Sequence, residues 1–140
     1  MEQANVLNII ERFIDWTKNK MLHNFFKINV DLYFREKEIW WVAFGKNIGF
    51  ETDGKHDLFE RPAVILKKYS KDMCFILPLT SKVKMPLPWY QFVVEIEDKI
   101  SAINVTQGRA ISSRRLLRKK GILDVGTYDR LLDLFVRQFK

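Results

Sequence analysis

The stretch from residue 38 to residue 81 constrains this chain most. It opens as Glu-Ile-Trp-Trp-Val-Ala-Phe, a run of aromatic and β-branched residues that reads as a strand over 38–44. Gly45 ends the run, and residues 45–60 show no periodicity. Loops of that length inside a compact domain are uncommon and usually carry function. Two apolar runs, 61–66 and 73–79, then read as a hairpin around residues 67–72, with Pro62 at a strand start, where no ladder donor is needed. A strand, a long glycine-bearing loop and a hairpin in this order place one carboxylate, one arginine and one threonine together on a small barrel.

The rest of the chain extends that frame. Residues 82–88 form a second loop, stiffened by Pro86 and Pro88, and residues 90–96 and 100–105 read as a hairpin turned at Glu97-Asp98-Lys99. Residues 107–111 give a last short strand. Ser112 or Ser113 is the expected N-cap of a brief basic helix ended by Gly121, and Thr127 of a final helix with Leu131, Leu134, Phe135 and Phe139 on its apolar face. Ahead of the barrel, Val6, Ile9, Ile10, Phe13, Trp16 and Met21 recur at helical spacing over 6–22, with Glu11, Arg12, Asp15 and Lys18 expected outward. A connector over 23–36, coil or short strand, joins the two parts. The expected class is α+β, mainly β, divided into a helical extension (1–32) and a barrel domain (33–140) with N-terminal, short basic and C-terminal helices.

A chain of 140 residues is long enough to bury a core as one domain. Its net charge of +7 and pI near 9.6 favour a polyanionic partner, nucleic acid or an acidic protein. The single cysteine, Cys74, lies in an apolar run and reads as an inert core residue of a reducing cytoplasm. No apolar run approaches the ~20 residues that span a bilayer, and no secretory pattern opens the chain, so neither a membrane partner nor export is expected. His23 and His56 stand 33 positions apart beside that one cysteine, which offers no metal-ligand cluster. No glycine loop carries the Lys-Ser/Thr pair of a nucleotide site either. No cofactor is expected.

Residues Gly49, Glu51 and Gly54 spell Gly-x-Glu-x-x-Gly; Arg61-Pro62 follows, then Thr80, then Gln107-x-Arg109. That series resembles the MazF/PemK family of toxin endoribonucleases from type II toxin–antitoxin pairs, over roughly residues 36–140. The resemblance implies a small SH3-like or CcdB-like barrel, a homodimer, a small acidic antitoxin as partner, and metal-independent cleavage of single-stranded RNA. It implies that Arg61, Thr80 and Glu51 serve catalysis, Glu51 as a base or as a carboxylate orienting Arg61. Gln107 and Arg109 would lie near the same groove. Two departures stand out: residues 55–60 are inserted between the loop glycine and Arg61, and the helical extension is absent from the minimal module.

These residue types suit the chemistry. Attack of a ribose 2′-hydroxyl on phosphorus needs a proton acceptor, a proton donor for the leaving oxygen, and stabilisation of charge on the phosphoryl oxygens. A guanidinium such as Arg61 gives two parallel hydrogen bonds to phosphate, and a hydroxyl such as Thr80 adds a third donor. Phe50, at the loop tip, suits stacking on a base. Lys55, His56 and Lys82 flank these positions, His56 being either a solvated side chain or a proton carrier. Of Trp40 and Trp41, strand alternation turns one inward. Arg114, Arg115 and Arg118 belong to the densest basic cluster, which is either a solvated helix face or a track for phosphates. The alternatives to an RNA-cutting toxin are a CcdB-like inhibitor of DNA gyrase that acts by binding, and a catalytically silent nucleic-acid-binding barrel.

Overall fold

The structure, a computed structural model, describes residues 2–25 and 32–140. The expected connector and the boundary at residue 32 fall partly outside these residues. Helix α1 spans Glu2–Phe25. Among the described residues seven strands follow: β1 Glu38–Ala43, β2 Glu60–Lys68, β3 Met73–Thr80, β4 Gln91–Ile96, β5 Lys99–Asn104, β6 Arg109–Ser112 and β7 Leu116–Ile122. Helix α2 (Val125–Arg137) closes the chain. All pairings are antiparallel, in the order β4-β5-β3-β2-β1-β7. The long strand β3 serves two partners: its first half pairs with β6, while Leu79 and Thr80 pair with β5. This switch curls the sheet into a half-barrel.

The curl divides the core. One cluster, with Phe34, Trp40, Val42, Phe44, Ile65 and Ile76 among its members, fills one side of β1–β3, and a second holds Ile39, Val64, Leu77 and Ile103 beneath α2. Because β1 is central, its residues are buried on both faces, and only Trp41 is partly open. Trp40 turns inward and its indole N–H donates to the buried Glu38 carboxylate at 3.1 Å, which also accepts from the Arg35 N–H and pairs with Lys119 at 2.9 Å. The β4–β5 turn uses Glu97 and Asp98, both at positive φ, as a two-residue hairpin loop requires.

Two local expectations are corrected. The brief basic helix is a strand. Ser112 does cap, its hydroxyl accepting from the Arg114 N–H, but the result is a single 3₁₀ turn over Ser113–Arg115. Residues Leu116–Ile122 then run along β1 as β7. The backbone of β1 needs a partner on that edge, and this demand overrides the helix preference of Leu, Arg and Lys. Helix α2 is capped by Asp124, not Thr127: the Asp124 carboxylate accepts from the Thr127 N–H at 3.0 Å and from its hydroxyl at 2.6 Å.

The third correction concerns α1. Its buried and half-buried side chains are Arg12, Trp16, Asn19 and His23, spaced +4, +3 and +4 along the side that faces the barrel. Trp16 is 4% exposed, and its indole lies over Gly45, where any Cβ would overlap the ring. Phe59 meets Trp16 at 5.5 Å between centroids, and the Arg12 guanidinium stacks on Phe59 at 3.9 Å. Arg12 therefore faces inward, while Val6, Ile9, Ile10, Phe13, Ile14 and Met21 remain exposed. The apolar stripe read from the sequence, Trp16 apart, points away from the barrel.

His23 ends the docked side, 6.5 Å from Trp16, with its Nδ1 buried and without a hydrogen-bond partner. Burial first, and the charge of Arg115 second, hold its imidazole below the usual histidine value. A histidine whose folded value is depressed contributes docking that is complete above its unfolded value, near 6.5, and fades as pH falls through the folded one. Protease sensitivity of α1 should therefore rise on acidification below about pH 6.5. His23→Gln should remove that dependence while keeping α1 docked at pH 7.5.

Candidate active site

The loop between β1 and β2 is a built structure. Gly54 donates to the Gly45 carbonyl at 2.8 Å, and Phe44 and Gly45 both donate to the Phe59 carbonyl. Within it, the Asp53 carboxylate takes the Asn47 N–H at 2.5 Å and the Lys46 ammonium at 3.0 Å. Gln107 clamps the loop from β6's side, accepting from the Thr52 N–H and donating to the Phe50 carbonyl. The inserted residues make a tight turn: Lys55 and Glu60 pair as a bridge, and His56 and Phe59 take positive φ.

Arg61 opens β2 beneath this loop. Its Nε donates to the Asp53 carbonyl at 2.8 Å and its Nη1 to the Leu79 carbonyl at 3.2 Å. Two of its five N–H donors are thus engaged, and the guanidinium is fixed in one orientation. Burial pulls it below its ordinary value and Asp53 partly offsets this, but an arginine stays charged throughout. Leu79 precedes Thr80, so the same carbonyl that holds Arg61 sets the neighbouring hydroxyl, which accepts from the Lys82 N–H at 3.2 Å. Arg61 and Thr80 share a cleft of about 210 Å³ with His56, Lys55, Trp41, Lys99, Ser101 and Lys120 among its lining residues. Glu60, also in that lining, is neutralised by a two-pronged contact from Arg118 at 2.8 and 2.9 Å.

Glu51 stands elsewhere. It accepts from the Ile48 N–H at 2.9 Å and lines a second hollow, of about 360 Å³, with Gln107, Arg109, Asn47 and Phe44. Its charge acts on Arg109, which burial pulls below its usual value and Glu51 raises. Phe50 projects fully into solvent at the loop tip, beside both hollows' shared loop. Lys82 is exposed just beyond Thr80.

The three arginines of the basic cluster have separate partners. Arg114 donates to the Asn24 carbonyl at the end of α1. Arg115 reaches inward to the Ala43 carbonyl at 3.1 Å and lies 5.5 Å from the Trp16 ring; burial first, then the nearby Arg109, push it down to about 10. Arg118, besides holding Glu60, lies 4.8 Å from the Trp41 ring, with Lys120 at 5.1 Å from the same ring. Sequence reading passed over Lys99 and Ser101 and did not join Trp41 and Lys120 to Arg61 and Thr80, because the four converge from β1, β5 and β7 and no local signal links them.

Among the described residues, no three His, Cys, Asp or Glu side chains stand together as metal ligands. Cys74 is buried and its thiol is pushed up to about 11, as expected of a core cysteine.

By its fold the chain is a MazF-type half-barrel. It resembles the crystal structure of MazF from Deinococcus radiodurans at a TM-score of 0.65 and 15% identity, covering 78% of this chain and 98% of that one. The Mycobacterium tuberculosis toxin MazF-mt6 is similar at a TM-score of 0.54 and 16% identity, over 73% and 95% of the two chains. No relative was found among curated protein sequences. Residues 35–139 match the family described as PemK-like, MazF-like toxin of type II toxin-antitoxin system. The chain belongs to that family. The match begins beyond α1, and the two departures read in the sequence pack on each other: Phe59 of the inserted turn is the surface that Trp16 and Arg12 of α1 grip.

Proposed function

We propose that this toxin is an endoribonuclease that cuts single-stranded RNA without a metal. The observation that carries this reading is the single cleft holding a fixed, partly unengaged guanidinium at Arg61, a hydroxyl at Thr80 and an imidazole at His56. The 2′-hydroxyl attacks phosphorus as its proton leaves to a base. The new 2′-O–P bond forms, the P–O5′ bond breaks, and the departing 5′-oxygen takes a proton, giving a 2′,3′-cyclic phosphate and a 5′-hydroxyl. The free N–H groups of Arg61 and the Thr80 hydroxyl stabilise the phosphoryl oxygens.

His56 carries the proton in this scheme, since its imidazole lines the cleft beside Arg61 and Thr80 and has one nitrogen that accepts and one that donates. Glu51, turned to the second hollow, shapes the Arg109 site. Lys55, Lys82, Lys99 and Lys120 attract the phosphate chain, and Phe50 and Trp41 offer faces to bases. Gln107 holds the loop that presents Phe50. Arg114, Arg115 and Arg118 act by fixing α1, the end of β1 and Glu60. The active unit is a homodimer, and a small acidic antitoxin covers the basic cleft in the cytoplasm. No described helix is long and apolar enough to cross a membrane.

The test is incubation of the protein with a long RNA in excess EDTA. Discrete fragments ending in cyclic phosphate are expected. Intact RNA, or cleavage that needs added Mg²⁺, would overturn the reading, and poisoning of gyrase without RNA cleavage would favour the binding alternative. His56→Ala should lower the cleavage rate by about 10²-fold while leaving RNA affinity within a few-fold; an unchanged rate would take the proton from another group.

A further inference from the structure

Helix α1 has two usable faces and the barrel takes the polar one. On the opposite side Leu7, Ile10, Ile14, Thr17 and Met21 follow at +3, +4, +3 and +4, the spacing of a helix–helix seam. Leu7 is 59% exposed, Ile10 47%, Ile14 50% and Met21 54%. Phe13 flanks the stripe, and Ile10, Phe13, Ile14, Thr17 and Lys18 border a shallow apolar hollow. Soluble chains rarely leave a contiguous face of this kind in water.

We infer that this face is the docking surface for α1 of a second copy, running antiparallel. The charges decide the occupant. Outward-facing Glu11 and Asp15 are balanced by Lys18 and Lys20, although the whole chain carries +7. An acidic partner would be drawn to the basic cleft and not to this balanced strip. Against itself, the strip is complementary. Glu11 and Lys18 lie one heptad apart on one flank. In an antiparallel pair whose twofold axis passes between Asp15 and Trp16 in sequence, Ile10 meets Met21 of the other copy and Ile14 meets Thr17. Glu11 then faces Lys18 twice, once on each side of the axis. The apolar residues of the stripe offer on the order of 600 Å² per copy, within reach of a small stable interface. Trp16 and Phe59 tie each helix to its own catalytic loop, so the pairing would link the loops of two barrels. The inference stands apart from the cleavage reading, because it concerns a face that no cleft residue shares.

Sedimentation of the intact protein at micromolar concentration tests it, with circular dichroism to confirm the fold of each variant. Ile14 is exposed, so Ile14→Glu leaves folding intact. The pairing joins one barrel homodimer to another, so this substitution should halve the mass of the assembly. Glu11→Lys alone and Lys18→Glu alone should each weaken association about tenfold, and the double variant should restore it. A chain carrying Ile14→Cys and Thr17→Cys should form a disulfide-linked dimer on mild oxidation, Cys74 being buried. An unchanged mass in Ile14→Glu would overturn the proposal. So would charge reversals that fail to compensate each other, or a cysteine pair that fails to link.

Discussion

Arg61→Ala should lower RNA cleavage by about 10²–10³-fold in a protein that remains folded. The guanidinium is held by carbonyls from two elements, Asp53 in the loop and Leu79 in β3, so it meets a phosphate without first reorganising. Its removal leaves those two carbonyls without their partner, which costs stability on the order of 1 kcal/mol each where water cannot replace the donor. Arg61 is only half-buried, so a shift of a few degrees in Tm is expected. Arg61→Lys should recover little, because an ammonium cannot reach both carbonyls and also present a planar pair of donors to phosphate. Single-turnover cleavage with saturating RNA reads the effect on chemistry alone. A folded Arg61→Ala variant that cuts at the normal rate would remove this residue from the mechanism.

The cleft explains which parts of the site were legible in sequence. Arg61 and Thr80 lie at the ends of paired strands, where a strand start and a hairpin length fix positions from local pattern alone. Glu51 was grouped with them by the family resemblance of its Gly-x-Glu-x-x-Gly loop. The loop folds back on itself, however, and it is the Asp53 carbonyl, not the Glu51 carboxylate, that meets the guanidinium. Which side of a sixteen-residue loop a given side chain occupies depends on hydrogen bonds such as those of Gln107, which come from residues more than fifty positions away. His56 shows the same limit in reverse. Sequence left it open between a solvated side chain and a proton carrier, because the turn at positive φ that sets its place in the cleft is not written in the residue type.

The fold was legible wherever pattern and tertiary demand agreed. The strands of the two hairpins follow their apolar runs, and α2 follows its stripe. β7 was misread because its basic residues prefer a helix locally, while the unpaired edge of β1 is visible only once the sheet exists. α1 was read correctly as a helix, and wrongly in setting Arg12 on its outward side. An apolar stripe names the side that avoids water, but the barrel offered a slot for one indole over Gly45 and a cation–π platform at Phe59, which selected Trp16 and Arg12 instead.

The loop motif contains two glycines that ought to behave very differently. Gly49 sits at φ +56 with open space around it, so Gly49→Ala should cost only about 1–2 kcal/mol for the left-handed backbone. Cleavage should stay within a few-fold. Gly54 has an ordinary φ but no room: a Cβ there would fall on the carbonyl group of Phe59 and crowd the Glu60 nitrogen. Those are backbone atoms that cannot swing aside, and the same Phe59 carbonyl accepts the Phe44 and Gly45 N–H groups that close the loop. Gly54→Ala must therefore pry the base of the loop open, displacing the Asp53 carbonyl from Arg61, the turn that carries His56, and the Phe59 ring under Trp16. The expected outcome is a loss of roughly 3 kcal/mol or more, a fall in Tm near 10 °C, and cleavage reduced as far as in Arg61→Ala. Thermal unfolding and cleavage of the two glycine variants, measured side by side, decide the matter. Equal losses for both would mean that the motif's glycines serve only backbone freedom and that the close approach of residues 54 and 59 does not hold the site.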